Sequence, residues 1–239
     1  MATYLGTHGS RIQNYTTDPD NPNTGEVWYN DTANTLKFQY VNTNAAGSWS
    51  TGGSLNTARK ETSGVGTQTA ALVIGGAPLT GKTESYDGAS FTEVADLNTA
   101  RNQNGSAGTQ TSALTFGGEP TASNGAFTES WNGSSWTEVA DLNTARRTVG
   151  SAGTDNTNAL VFGGFSTTSV ANTESWNGSS WTELADLNTG RSYVAGTGTT
   201  TAALASSGYA PPNNLAVNES WNGSSWTEVG DLKIGRAHV

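Results

Sequence analysis

Hydrophobic positions along this chain fall in short runs, each bounded by glycine, asparagine or serine. Runs such as Ala71-Leu-Val-Ile-Gly-Gly76, Ala113-Leu-Thr-Phe-Gly-Gly118 and Ala159-Leu-Val-Phe-Gly-Gly164 end in a glycine pair. A variable segment follows each. Then come two more short runs around Asn-Gly, as in Thr128-Glu-Ser-Trp-Asn-Gly-Ser-Ser-Trp-Thr-Glu-Val139. Asn-Gly between apolar runs signals a β-hairpin. No window shows a convincing 3.6-residue period, so the pattern predicts strands and essentially no helix.

The runs belong to a repeat. Leu-Asn-Thr-Ala-Arg ends at Arg59, Arg101 and Arg146, returns as Leu-Asn-Thr-Gly-Arg at Arg191, and has a degenerate copy at Arg236, giving spacings of 42, 45, 45 and 45 residues. Residues 128–146 and 173–191 are identical at 17 of 19 positions. The glycine pairs are Gly75 and Gly76, Gly117 and Gly118, and Gly163 and Gly164, degraded to Ser207-Gly208 in the fourth copy. Aromatics stand five apart at Tyr86/Phe91, Trp131/Trp136, Trp176/Trp181 and Trp221/Trp226. A two-residue or a four-residue hairpin loop both keep such a pair on one face. One hairpin cannot bury two indoles, whereas stacked units can.

At the Gly-Gly pair and the two downstream aromatics the sequence resembles the kelch family of β-propellers, over roughly residues 36–236. That resemblance implies an all-β propeller of about five four-stranded blades, each with a glycine-rich innermost strand. Residues 1–25 are expected to be an arm or loop and 26–59 an incomplete first blade. In that blade Glu26–Asn30 and Leu36–Val41 form a hairpin around Asp31–Thr35, followed by a strand at Gly47–Trp49. Residues 60–239 then hold four further blades, and the two ends of the chain would join to close the ring. Ile234–Val239 also matches what a common sequencing-library adapter encodes in one reading frame. Residues 233–239 are therefore expected to be a processing scar, with five blades a lower bound for the natural protein.

Residues 18–37 resemble a segment common in structural proteins of tailed bacteriophages, where it often precedes fibre or appendage domains. The continuation through Gly76 resembles kelch-type repeats encoded by marine phages. These resemblances imply a virion component.

Composition narrows the chemistry. The net charge is −9, from 20 acidic and 11 basic residues, which argues against nucleic-acid binding. No apolar run reaches the roughly 18 residues of a membrane span, so membrane insertion is not expected. Cysteine is absent, which excludes disulfides, thiolate metal sites and a cysteine nucleophile. The two histidines, His8 and His238, stand at opposite ends and make no ligand cluster. Asp18-Pro-Asp20 lacks the EF-hand spacing. No metal and no cofactor is expected.

The acids are periodic: Glu84, Glu93 and Asp96 recur as Glu129, Glu138 and Asp141, as Glu174, Glu183 and Asp186, and as Glu219, Glu228 and Asp231. A catalytic pair is usually singular, so these read as a solvated rim, with Asp96, Asp141 and Asp186 pairing Arg101, Arg146 and Arg191 or capping loops at the surface. Ser-Trp-Asn-Gly-Ser-Ser-Trp is similar to the Asp-box of sialidases, but asparagine replaces the aspartate and the spacing is one residue short. A glycan-active hydrolase is the least favoured reading. Asn132, Asn177 and Asn222 fit the N-glycosylation pattern, which the hairpin turn explains by itself.

The remaining variation lies after the glycine pairs, at 77–82, 119–127, 165–172 and 209–217. There Phe127, Phe165 and Tyr209 are expected to be exposed, with Asn124, Asn213 and Asn214 beside them. Variable loops on a rigid scaffold commonly carry binding. The expected function is non-catalytic recognition of a host-surface glycan or protein in the setting of other virion proteins, with a purely structural role as the alternative.

Overall fold

The computed structural model describes residues 13–17, 27–38, 51–121 and 123–232. The regular structure among them is entirely β. The chain divides into two compact units, 1–51 and 52–239.

The first unit contains β1 (Gln13–Tyr15), β2 (Val27–Asn30) and β3 (Thr35–Phe38), in sheet order β1-β2-β3. The expected hairpin of β2 and β3 is present, with Val27 opposite Phe38 and Asn30 opposite Thr35. The polar stretch 1–25, expected to be arm or loop, contributes β1, which runs parallel to β2. Its pairing is made by the main chain, so Gln-Asn-Tyr carries no apolar alternation that would betray it. The expected strand at Gly47–Trp49, the Asp18–Asp20 turn and residues 233–239 lie outside the described residues.

Among its described residues the second unit holds four antiparallel four-stranded sheets, each built from consecutive strands. The first holds β4 (Ser63–Thr67), β5 (Ala70–Ile74), β6 (Thr83–Tyr86) and β7 (Phe91–Glu93). The second holds β8 (Gly105–Gly108), β9 (Ala113–Phe116), β10 (Thr128–Trp131) and β11 (Trp136–Val139). The third holds β12 (Gly150–Asp155), β13 (Asn158–Phe162), β14 (Thr173–Trp176) and β15 (Trp181–Glu183). The fourth holds β16 (Ala195–Gly198), β17 (Ala203–Ala210), β18 (Asn213–Trp221) and β19 (Trp226–Val229). The sequence repeat is thus one sheet per copy. The glycine-rich first strands pack in series, β4 on β8, β8 on β12 and β12 on β16. All four line one open cavity of about 410 Å³. Small side chains permit this approach: a Cβ on Gly196 would lie 2.4 Å from the Ser151 carbonyl oxygen.

Of the two hairpin geometries, the chain adopts the four-residue loop. Trp131 lies directly opposite Trp136, and Trp176 opposite Trp181. The Asn132 side chain caps the turn, its Oδ1 accepting from the amides of Ser134 (2.9 Å) and Ser135 (3.0 Å). Asp87 does the same in the first sheet.

Each pair of indoles faces the preceding sheet. Trp131 and Trp136 pack with Leu72, Ile74 and Leu97; Trp176 and Trp181 with Leu114, Phe116 and Leu142; Trp221 and Trp226 with Leu160, Phe162 and Leu187. Phe116 meets Trp181 edge-on with centroids 5.0 Å apart, and Phe162 meets Trp226 at 4.8 Å, a favoured aromatic geometry. The buried indole N–H of the second tryptophan donates across the interface: Trp136 to Thr83 Oγ1 (3.1 Å), Trp181 to Thr128 Oγ1 (3.0 Å) and Trp226 to Thr173 Oγ1 (3.0 Å). Packing and polar satisfaction therefore fix the same register between sheets.

Replacing Trp181 by alanine removes a 6%-exposed ring and should cost about 3–5 kcal/mol of unfolding free energy, measured by urea denaturation. A loss below about 1 kcal/mol would contradict this interface.

Candidate functional site

The repeated charges form a latch between sheets. Arg101 lies between the first and second sheets and pairs with Glu129 on β10 of the second; both side chains are buried, at 0% and 1% exposure. Arg146 pairs with Glu174 (2.6 Å) and Arg191 with Glu219 in the same way, and Arg59, ahead of the first sheet of this unit, pairs with Glu84 on that sheet. The linker asparagine completes each contact. Asn143 donates from its backbone amide (2.7 Å) and its Nδ2 (2.8 Å) to Glu174 Oε2, and Thr144 N–H donates to Oε1. Asn98, Asn188 and Asn56 repeat the pattern on Glu129, Glu219 and Glu84.

Of the two roles expected for the aspartates, pairing with arginine is replaced by this latch, whereas capping is what Asp141 and Asp186 do. Asp96, Asp141 and Asp186 are exposed. Asp141 and Asp186 instead accept from the backbone amides of Thr128 (3.3 Å) and Thr173 (3.2 Å). The arginine goes to a glutamate 28 residues downstream because that carboxylate lies on the face carrying the indoles, where an unpaired charge would be prohibitive. Glu93, Glu138, Glu183 and Glu228 do form the exposed rim. Burial pushes the Glu84 and Glu219 carboxyls up, but the hydrogen bonds and the arginine outweigh it and hold both below the ordinary glutamate range.

The glycine pairs fit around the latch. Gly117 has φ +65°, and a Cβ there would lie 2.5 Å from the Arg146 carbonyl oxygen. Gly118 N–H donates to that same oxygen at 3.0 Å. Gly75-Gly76 and Gly163-Gly164 repeat this on Arg101 and Arg191. In the fourth repeat Ser207 keeps a left-handed φ of 56°, and its carbonyl accepts from Arg191 Nε at 2.9 Å.

The variable segments are more ordered than a loop reading implies. Phe127, Phe165 and Tyr209 are all half-buried, a correction to their expected exposure. The Phe127 carbonyl accepts from Arg101 at 2.9 Å. The Arg147 guanidinium lies 4.8 Å over the Phe165 ring. Asn124 bridges two segments, accepting from Arg147 (2.8 Å) and donating to the Ser166 carbonyl. In the fourth repeat 209–217 is not a loop. It extends β17 and β18 into a long hairpin turning at Pro211-Pro212, with Tyr209 opposite Asn214 and Ala210 opposite Asn213. Asn213 and Asn214 are exposed.

That hairpin brings two of the six expected residues together. Tyr209 and Asn214, with Tyr193, Ser207, Gly208 and Leu215, line an open pocket of about 400 Å³. Small-ligand sites span roughly 300–1,000 Å³. Phe127, Phe165, Asn124 and Asn213 are not part of this lining. Tyr193 was not singled out from the sequence. It stands two residues after the latch arginine, where the other repeats have Glu61, Gln103 and Thr148. All four have φ of 52–56°, and they form a backbone chain: Gln103 N–H to Glu61 O (2.9 Å), Thr148 N–H to Gln103 O (2.9 Å) and Tyr193 N–H to Thr148 O (2.8 Å). The repeat therefore imposes the left-handed backbone. The Tyr193 side chain, 64% exposed, is the departure that counting from each arginine would have revealed.

Among the described residues no group of three or more acids and histidines could hold a metal ion, and no helix is long and apolar enough to cross a membrane. No protein-family model matches the chain, and no curated protein is significantly similar to it.

Glu174→Ala leaves Arg146 buried without its partner and should cost about 3–5 kcal/mol, read as a drop in urea midpoint; a loss under about 1 kcal/mol would contradict the latch. Acid provides a second check. Glu84 and Glu219 have folded pKa values below their unfolded ones, so their stabilisation is complete above the unfolded carboxyl pKa of about 4.3. It is lost as pH falls through the folded values. Thermal midpoints should hold from neutral pH to about pH 5 and fall steadily below about pH 4. A midpoint that rises on acidification would refute this assignment.

Proposed function

We propose that the chain is a kelch-like β-propeller that serves as a non-catalytic recognition module of a phage particle, binding host-surface glycan through the fourth repeat. The propeller reading draws support from four equivalent sheets whose first strands line one cavity. The virion reading rests on the resemblance of residues 18–37 to phage structural proteins. Recognition rests on one observation above all: the extended β17–β18 hairpin surrounds a pocket with two tyrosines and an exposed amide. The equivalents of Tyr209, bridged in the same way to the segment after each arginine, are Ala77, Glu119 and Phe165. The fourth repeat has thus diverged where the scaffold does not require it, which is how binding surfaces are built on repeat proteins.

The periodic carboxylates contribute to this reading as structure. Each of Glu84, Glu129, Glu174 and Glu219 is committed to a latch, which leaves none of the four as a free acid or base. Binding of the chain to host-surface polysaccharide should be lost in Tyr193→Ala/Tyr209→Ala with the thermal midpoint little changed. A glycan array and a melting curve on both proteins check it. Binding by the double variant at wild-type strength would remove the pocket from the account, and no binding by the wild type would leave the purely structural role.

A further inference from the structure

The composition of the pocket goes further than the recognition reading on which it rests. We infer that the fourth-repeat pocket takes an uncharged sugar, one or two pyranose rings long, and rejects carboxylated or sulfated ones. Its lining is Tyr193, Ser207, Gly208, Tyr209, Asn214 and Leu215, with no charged side chain. An anionic sugar entering such a site would shed water without gaining a counter-charge.

The cations nearby are already committed. Arg191 lies directly beneath Gly208, where an added Cβ would stand 3.0 Å from its Cδ. Its guanidinium points inward, to Glu219, to the carbonyl of Ser207 (2.9 Å) and to that of Thr189 (2.9 Å). In the preceding repeat Arg147, at the position of Ser192, lies over the Phe165 ring and donates to Asn124. The chain as a whole carries −9, which repels polyanions at long range.

What the pocket offers suits the apolar face and the hydroxyls of a neutral pyranose. A tyrosine presents a rigid, flat apolar surface with a polar tip at little conformational cost. The Tyr193 backbone is held by its N–H bond to the Thr148 carbonyl at 2.8 Å, which fixes the point from which the exposed ring projects. The Asn214 amide, directly across the hairpin from Tyr209, carries both N–H donors and a carbonyl acceptor for hydroxyl pairs. A volume of about 400 Å³ lies within the range of small-ligand sites and is enough to seat one or two pyranose rings.

The test is calorimetric titration of the full chain with matched sets of two to four sugar units: cello-, malto- and galacto-oligosaccharides against oligouronates and sialyllactose. A neutral set should bind at least about tenfold more tightly than any acidic one. Tyr193→Phe should stay within about threefold of wild type, since it keeps the stacking face, whereas Tyr193→Ala should lose tenfold or more without a change in melting. Asn214→Lys should raise affinity for the oligouronates. Preferential binding of an acidic sugar by the wild type would overturn the inference while leaving glycan recognition standing. Absence of binding to every set would overturn both.

Discussion

A carboxylate buried against tryptophan has to be neutralised where it lies, and in this chain the residue that neutralises it also carries the chain to that sheet. Glu129, Glu174 and Glu219 sit on third strands beside the indoles. The arginine that pairs each of them ends the linker from the preceding sheet, and the linker asparagine fills the other carboxylate oxygen. Connection and charge compensation are therefore the same event. A sheet displaced along its neighbour would strand both an arginine and a glutamate in an apolar interface. The indole N–H bonds to Thr83, Thr128 and Thr173 demand the same register independently, so packing, hydrogen bonding and charge agree on one arrangement.

The glycines follow from this arrangement. The pair after each second strand is small because the carbonyl of the next latch arginine lies against it. The first strands are small because successive sheets converge there. With backbone and core set by the repeat, what is left free is the side chain two residues past each arginine and the segment after each glycine pair. The fourth repeat uses both, placing Tyr193 and Tyr209 around one pocket. A strongly determined scaffold that diverges at two adjacent free positions is a reasonable basis for binding.

Much of this was legible in the sequence. The 45-residue period, the strand order within each unit and the stacking of tryptophan pairs all follow from spacing and alternation. The latch itself is hard to see in the sequence: Asp96 lies five residues from Arg101 and Glu129 lies 28 away, so proximity along the chain favours the aspartate as partner. Alternation held the correction: Glu129 and Trp131 are two apart on one strand and must share a face. The strand at Gln13–Tyr15 left no trace because main-chain pairing to β2 requires no apolar side chain. The hairpin extension at 209–217 was obscured by Pro211-Pro212, which reads as loop but here turns between two paired strands. The left-handed backbone at Glu61, Gln103, Thr148 and Tyr193 has no residue signature at all, since none of them is glycine.

The central claim is that arginine and glutamate act as one coupled unit across each interface. A double-mutant cycle on Arg146→Met and Glu174→Gln, followed by urea denaturation, measures it directly. The account predicts single losses that sum to at least about 1.5 kcal/mol more than the loss in the double variant, within the range for directly interacting groups. Additivity within about 0.5 kcal/mol would contradict it.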